Sequence, residues 1–276
     1  MPGINPYGTV EYNNEIKKLL AQIAAISVGQ LVIKAITGTN KDVSILPFAA
    51  FDPKNPKQCR AVTSFEKGSD AAPKGVGGKD RTDTRDKLYL GRSDNPDTDD
   101  HDERYDTAGV KEIGTGAGSN AAVWFTPGEF SSTGCFKSSS GALPDEVFVH
   151  ELVHAVRMTQ GAYNPVPTTG RNASYHNDEE FLAIVVTNVY ISAKNPSRKL
   201  VANHFDYSAL WDPLDKSKGF VDDAENHELL SHYMNDSRWP FLKDLAKLKT
   251  IKFNPFYEFA KRPAKSAAKA KPAAKK

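Results

Sequence analysis

Residues Val147 to Met158 read VFVHELVHAVRM, an apolar run that sets His150 and His154 four residues apart around Glu151. At about 100° per residue on a helix, positions four apart return to within about 40° of one another, so the two imidazoles project side by side. That spacing lets two ring nitrogens reach one metal ion. Glu151, about 100° away, can then serve a water on that ion without becoming a ligand. The flanks support the helix: Pro144, Asp145 and Glu146 suit its first turn and Gly161 its C-terminal cap, so it is predicted from about Pro144 to Gln160.

A catalytic zinc needs a third protein ligand, and a carboxylate is the type to look for downstream. After a turn-rich loop with Pro165 and Pro167, the stretch DEEFLAIVVTNVYISAK, Asp178 to Lys194, opens on acids and stops before Asn195-Pro196. Its length favours a buried helix, although its β-branched run keeps a strand open. Glutamates at the start of such a helix stand where they can point at a metal held by the first. Upstream of the histidines, AAVWFTP, Ala121 to Pro127, lies between Gly/Ser residues and Pro-Gly and predicts a strand.

Further out the signals are local. Glu11 to Ser27 spaces apolar residues at 16, 19, 20, 23 and 26, the rhythm of an amphipathic helix. VGQLVIKAITG predicts a second, short helix stopped by Gly38, and DVSILPFAAF a strand ending near Pro47. From Asp52 to about Arg92 the chain is irregular, with at most short strands. Asp94 to Asp106 holds seven carboxylates but lacks the glycine and closing glutamate of a calcium loop, which favours a solvated acidic loop. GTGAGSN is neither GxGxxG nor a P-loop, which argues against a nucleotide site. Beyond residue 210, DDAENHELLSHYMND and PFLKDLAKLK are short helical patterns, and no internal repeat is found.

The chain's 276 residues and 39% hydrophobic content suffice for one embellished domain or two small ones. No run approaches eighteen apolar residues, so no transmembrane segment is expected. The N-terminus lacks the basic and apolar regions of a signal peptide, so export, if it occurs, is expected by a route without a cleaved signal. Cys59 and Cys135 lack metal-knuckle spacing and are expected as two thiols rather than one disulfide. The net charge of +2 hides an asymmetry: residues 261 to 276 carry seven positive charges and no acid, leaving a mildly acidic body. That Lys/Ala/Pro tail is expected to be disordered, with at most weak binding to nucleic acid or anionic membrane.

HELVH followed by NDEEFLAIVVTNVY resembles the gluzincin metallopeptidases, in which HExxH on one helix is completed by a glutamate from the next. The second segment looks like the corresponding helix of anthrax lethal factor, whose ligand glutamate precedes two bulky apolar residues and an alanine. That match falls on Glu180, Phe181, Leu182 and Ala183, making Glu180 the implied ligand with Glu179 the fallback. The wider layout is similar to the effector metallopeptidases that bacteria deliver through type III and type VI secretion systems. The resemblance covers about residues 11 to 210, with its specific motifs in 150 to 190; the acidic insert and the basic tail depart from it. It implies an α+β, zincin-like metallopeptidase domain with an HExxH helix, a glutamate-bearing helix and a small mixed sheet. The domain would span residues 1 to 260: a helical part at about 11 to 38, an irregular acidic and glycine-rich insert at about 52 to 118, a catalytic core at about 119 to 210 and a C-terminal helical part at about 211 to 260. It also implies that the strand before the metal helix, through Ala122, Val123 and Trp124, pairs with an extended substrate.

On this reading one catalytic Zn2+ is held by His150, His154 and Glu180, and Glu151 is the general base. The carbonyl oxygen needs a donor, for which Tyr175 and His204 are candidates by type and placement; His176 is a possible extra ligand. The expected function is a zinc endopeptidase, secreted or injected, cutting a protein of another cell, with a secretion-system component or immunity protein as further partners. Cell-wall peptide is an alternative substrate. A non-catalytic module with structural histidines and a nucleic-acid- or membrane-binding tail is the alternative from another class.

Overall fold

A computed structural model describes residues 3–54, 59–65, 118–130, 139–163, 175, 177–203, 207–235 and 240–262. The acidic run, Cys135, His176, His204 and the tail beyond residue 262 lie outside the described residues. Among those described, eight α-helices surround one four-stranded sheet. The mixed α+β class expected from the sequence is therefore what forms.

The sheet begins with β1, Ile4–Pro6, which pairs in parallel with β2, Val43–Leu46. Between them run α1, Val10–Ala24, and α2, Ser27–Thr37. Thr9 caps α1 by accepting from the Tyr12 N–H, and Ile16, Leu19, Leu20 and Ile23 bury the face that the sequence rhythm marks out. No single helix among the described residues is long and apolar enough to cross a membrane.

β2 pairs in parallel with β4, Ala121–Trp124, and β4 pairs antiparallel with β3, Val62–Phe65, giving the order β1-β2-β4-β3. This corrects the expected substrate edge. β4 is an interior strand whose two edges are occupied, so Ala122, Val123 and Trp124 have no ladder groups left for a peptide. Val123 is fully buried, while Trp124 turns to the other face, donating to Ser64 Oγ at 3.3 Å and lying against Phe51. The outer strands among the described residues are β1 and β3, and β3 is the one beside β4.

Beneath β3 and β4 runs α3, Pro144–Thr159, in which every residue from Glu146 onward is buried. It is pinned to the sheet by Phe148, stacked on Phe125 with ring centroids 5.1 Å apart, while Phe125 stacks on Phe130 at 5.5 Å. Burying each such ring is worth about 1.5–3 kcal/mol relative to exposure. Gly161, at φ +66°, ends the helix by letting Ala162 N–H return to Arg157 O at 2.9 Å. Gly141, at φ +81°, has no room for a side chain: a Cβ there would stand 2.4 Å from Val201 Cγ2.

α4, Asp178–Lys194, lies antiparallel to α3, and charged contacts join the pair at both ends. At one end Lys194 reaches Asp145 at 2.6 Å and Glu146 at 2.7 Å, and Tyr190 donates to Asp145 at 2.8 Å. At the other, Arg157 meets Glu179. The remaining helices, α5 Ser217–Asp222, α6 Ala224–Asn235, α7 Pro240–Leu245 and α8 Pro255–Ala260, close one continuous core through Phe220, Leu230, Tyr233, Phe241 and Phe256.

Cys59 is disulfide-bonded, against the expectation of two thiols. Separation along the chain says nothing about which sulfurs meet in space, so the sequence had no means of showing it.

Candidate metal centre

His150 and His154 occupy successive turns of α3, and Arg157 follows on the same stripe, within about 20° of His150 around the axis. All three face the start of α4. The two imidazoles turn their Nε2 atoms toward one point, 3.2 Å apart. Glu180 closes the triangle, its Oε2 3.2 Å from His150 Nε2 and its Oε1 3.4 Å from His154 Nε2. These three residues are a group able to hold a metal ion. The spacing can be tested against coordination geometry: ligands about 2.0–2.1 Å from a tetrahedral ion stand about 3.3 Å from one another. Each imidazole Nε2 stands near that edge length from the other and from one oxygen of Glu180, Oε2 for His150 and Oε1 for His154, and a donor set of two imidazoles and a carboxylate suits a borderline divalent cation.

Glu180 is held there by its backbone. Asn177 is the N-cap of α4, and its Oδ1 accepts from the Glu180 N–H at 2.9 Å, placing Glu180 in the first turn with its carboxylate toward α3. Glu179, one residue earlier, points elsewhere. Arg157 Nε donates to its Oε1 and Oε2 at 2.9 and 2.8 Å, and Nη2 donates to Oε1 at 2.7 Å. The choice between the two glutamates is thus physical: an arginine three residues after His154 takes one and leaves the other for the histidines. The guanidinium also lies 5.1 Å from the centre of the Tyr233 ring, whose hydroxyl donates to Asp178 O at 2.7 Å.

The local field asks for positive charge. Burial, the largest single influence, would depress the His154 imidazole, but the charge and hydrogen bond of Glu180 together with the charges of Glu151 and Glu179 outweigh it, and the group is raised to about 9. Burial would raise Glu180, yet His154 and the hydrogen bonds from both histidines hold it well below the usual carboxylate range.

Glu151 is buried beside the ligands. Thr63 of β3 donates its hydroxyl to Glu151 Oε2 at 2.6 Å and also lies 3.1 Å from Glu151 O. Tyr207, packed near Gly141, has its hydroxyl raised by burial and by the charge of Glu151, so it stays protonated in the neighbourhood of that carboxylate.

Of the other expected participants, Tyr175 is described, whereas His176 and His204 lie outside the described residues. Tyr175 is 5% exposed, sits edge-to-face on Phe181 at 5.1 Å, and has its hydroxyl raised by burial and then by Asp223. The ring is thus packed in the core, on the residue that follows Glu180. Thr63 and Tyr207 carry no motif and were missed from sequence. Asn177 directly before three acids is a capping signature that could have fixed the start of α4 to the residue.

Comparison with protein families, with curated proteins and with solved structures finds no match for the chain, so what the centre does has to be argued from its own geometry.

Proposed function

We propose that the protein is a zinc-dependent endopeptidase of the gluzincin type. The observation that carries this reading is the triangle of His150, His154 and Glu180 with separations of 3.2–3.4 Å, flanked on the same helix by Glu151. A bound Zn2+ would supply Lewis acidity, polarising a carbonyl and lowering the pKa of a water. The chain supplies the rest. Glu151 accepts the proton of the attacking water and passes it to the amine as the C–N bond breaks, leaving a free carboxylate and a free amine. Tyr207, kept protonated by burial and by Glu151, is assigned as the O–H donor to the carbonyl oxygen as charge collects on it, in place of Tyr175. Among the described residues β3 is an outer strand of the sheet, and it is the strand assigned to pair with an extended peptide, in place of β4.

The disulfide at Cys59 supports export, because such bonds persist in oxidising compartments. It also favours a second reading in which the peptide belongs to a cell wall, since that substrate lies outside the reducing cytosol. Delivery to another cell, and recognition by a secretion-system component or an immunity protein, remain parts of the first reading.

The test is metal content by elemental mass spectrometry of wild type, His150→Ala, Glu179→Ala and Glu180→Ala. One zinc per chain in wild type and Glu179→Ala, lost in the other two, is expected. A well-folded wild type that takes up no metal when zinc is offered would sink the proposal.

A further inference from the structure

Glu151 does not stand by itself. Its Oε2 accepts from Thr63 Oγ1 at 2.6 Å, the length of a hydroxyl-to-carboxylate bond strengthened by charge. Alternation along β3 places Thr63 on the face toward α3: it sits opposite Val123, a residue of the core, whereas Ser64 on the other face meets Trp124. The same Oγ1 lies 3.1 Å from the Glu151 carbonyl oxygen, so one hydroxyl contacts both the side chain and the main chain of that residue. A threonine has a single proton to donate, and the shorter contact, to the charged acceptor, takes it.

We propose that Thr63 is a positioning residue for Glu151: its hydroxyl engages Oε2 and leaves Oε1 to receive the proton. This rests on the metal-centre reading given above. Because Thr63 belongs to β3, an outer strand, the orientation of the base is set by the same element that borders the site. Thr63 therefore acts on proton transfer and leaves the grip on the metal unchanged.

The proposal is tested on the full chain loaded with Co2+, whose visible absorption reports the ligand set, with acetohydroxamate as probe. When a hydroxamic acid binds a metal centre as its anion, its O–H bond breaks and the proton passes to a neighbouring base, here Glu151. Thr63→Val keeps the branched strand residue and removes the hydroxyl; Thr63→Ser keeps the hydroxyl. The expected result is that both variants bind Co2+ as wild type does, that Thr63→Val binds acetohydroxamate about tenfold more weakly, and that Thr63→Ser stays within about twofold of wild type. Glu151→Gln should weaken the probe further while holding Co2+. Equal probe affinity in Thr63→Val and wild type, with Glu151→Gln still impaired, overturns the role of Thr63. Equal weakening in Thr63→Val and Thr63→Ser overturns it too, since the hydroxyl would not be the cause. If wild type binds no Co2+, or His150→Ala binds it equally well, the metal-centre reading itself fails, and the Thr63 proposal with it. Should Thr63→Val not fold, Thr63→Ala makes the same comparison.

Discussion

Replacing Arg157 by methionine leaves the Glu179 carboxylate in a site where its side chain is 1% exposed, with three hydrogen bonds from the guanidinium removed. Breaking a buried pair in this way typically costs about 3–5 kcal/mol, whereas replacing both partners by apolar groups of similar volume is often near neutral. The geometry here is of the strong kind, bidentate and dry, and the guanidinium's stacking on Tyr233 at 5.1 Å is lost as well, so about 4 kcal/mol is expected for Arg157→Met. In the Arg157→Met background Glu179→Leu should recover about 3 kcal/mol, whereas in the wild-type background it strands the guanidinium and should cost about 3–5 kcal/mol, and a double-mutant cycle reads the difference. Urea unfolding of the metal-free proteins followed by circular dichroism measures all four corners. A double variant no more stable than Arg157→Met, or a single variant within about 1 kcal/mol of wild type, would refute the argument that this pair is dry and mutually compensated. Either result would also remove the reason given for why Glu179 is not a ligand.

Other consequences are simpler to check. Glu151→Gln should lose turnover of any peptide substrate by at least about a thousandfold while elemental analysis still finds the metal. Metal affinity should rise with pH by up to about tenfold per unit until about pH 9 and then level off, because below that value the ion must displace a proton from His154. Calorimetry in buffers of different ionisation enthalpy would show the released proton. The raised His154 value also stabilises the metal-free fold: this contribution is complete below about pH 6.5 and disappears as pH climbs through about 9, so the urea midpoint of metal-free protein should fall across that window. Asn177→Ala should cost about 1 kcal/mol as a lost cap and weaken metal binding, since the Glu180 N–H loses its acceptor.

The elements legible in the sequence are those whose signals are local. α1, α2 and α3 follow from apolar spacing, caps and breakers, α4 from its length and acidic start although its β-branched run also suits a strand, and His150, Glu151 and His154 fall on the faces that a 3.6-residue period gives them, whereas Glu180 is singled out only by the likeness of its segment to the glutamate helix of gluzincins. The sheet is different. AAVW reads as a strand, but whether it lies inside or at the edge depends on which distant segments pair with it, and VTSF is too short and too polar to declare itself. Three-residue β1, with its proline, gives no signal at all. The same holds for partners that meet only in three dimensions: Thr63 with Glu151 across 88 positions, and the sulfur of Cys59 with another. Adjacent glutamates 179 and 180 differ by one step around a helix, and pattern can separate them only once Arg157 is seen to claim the first.

The antiparallel pair of α3 and α4 is tied at both ends by side chains that take no part in the metal group, Lys194 with Asp145 and Glu146 at one end and Arg157 with Glu179 at the other. The three donor atoms are therefore at coordination distance before any ion arrives. In small zinc domains the ion and the fold come together, and a chain without metal is a chain without structure. Here the ties between the helices run through other side chains than the metal group, so the fold is expected to persist when the ion is removed, and the chain would then take up or give up its metal without unfolding.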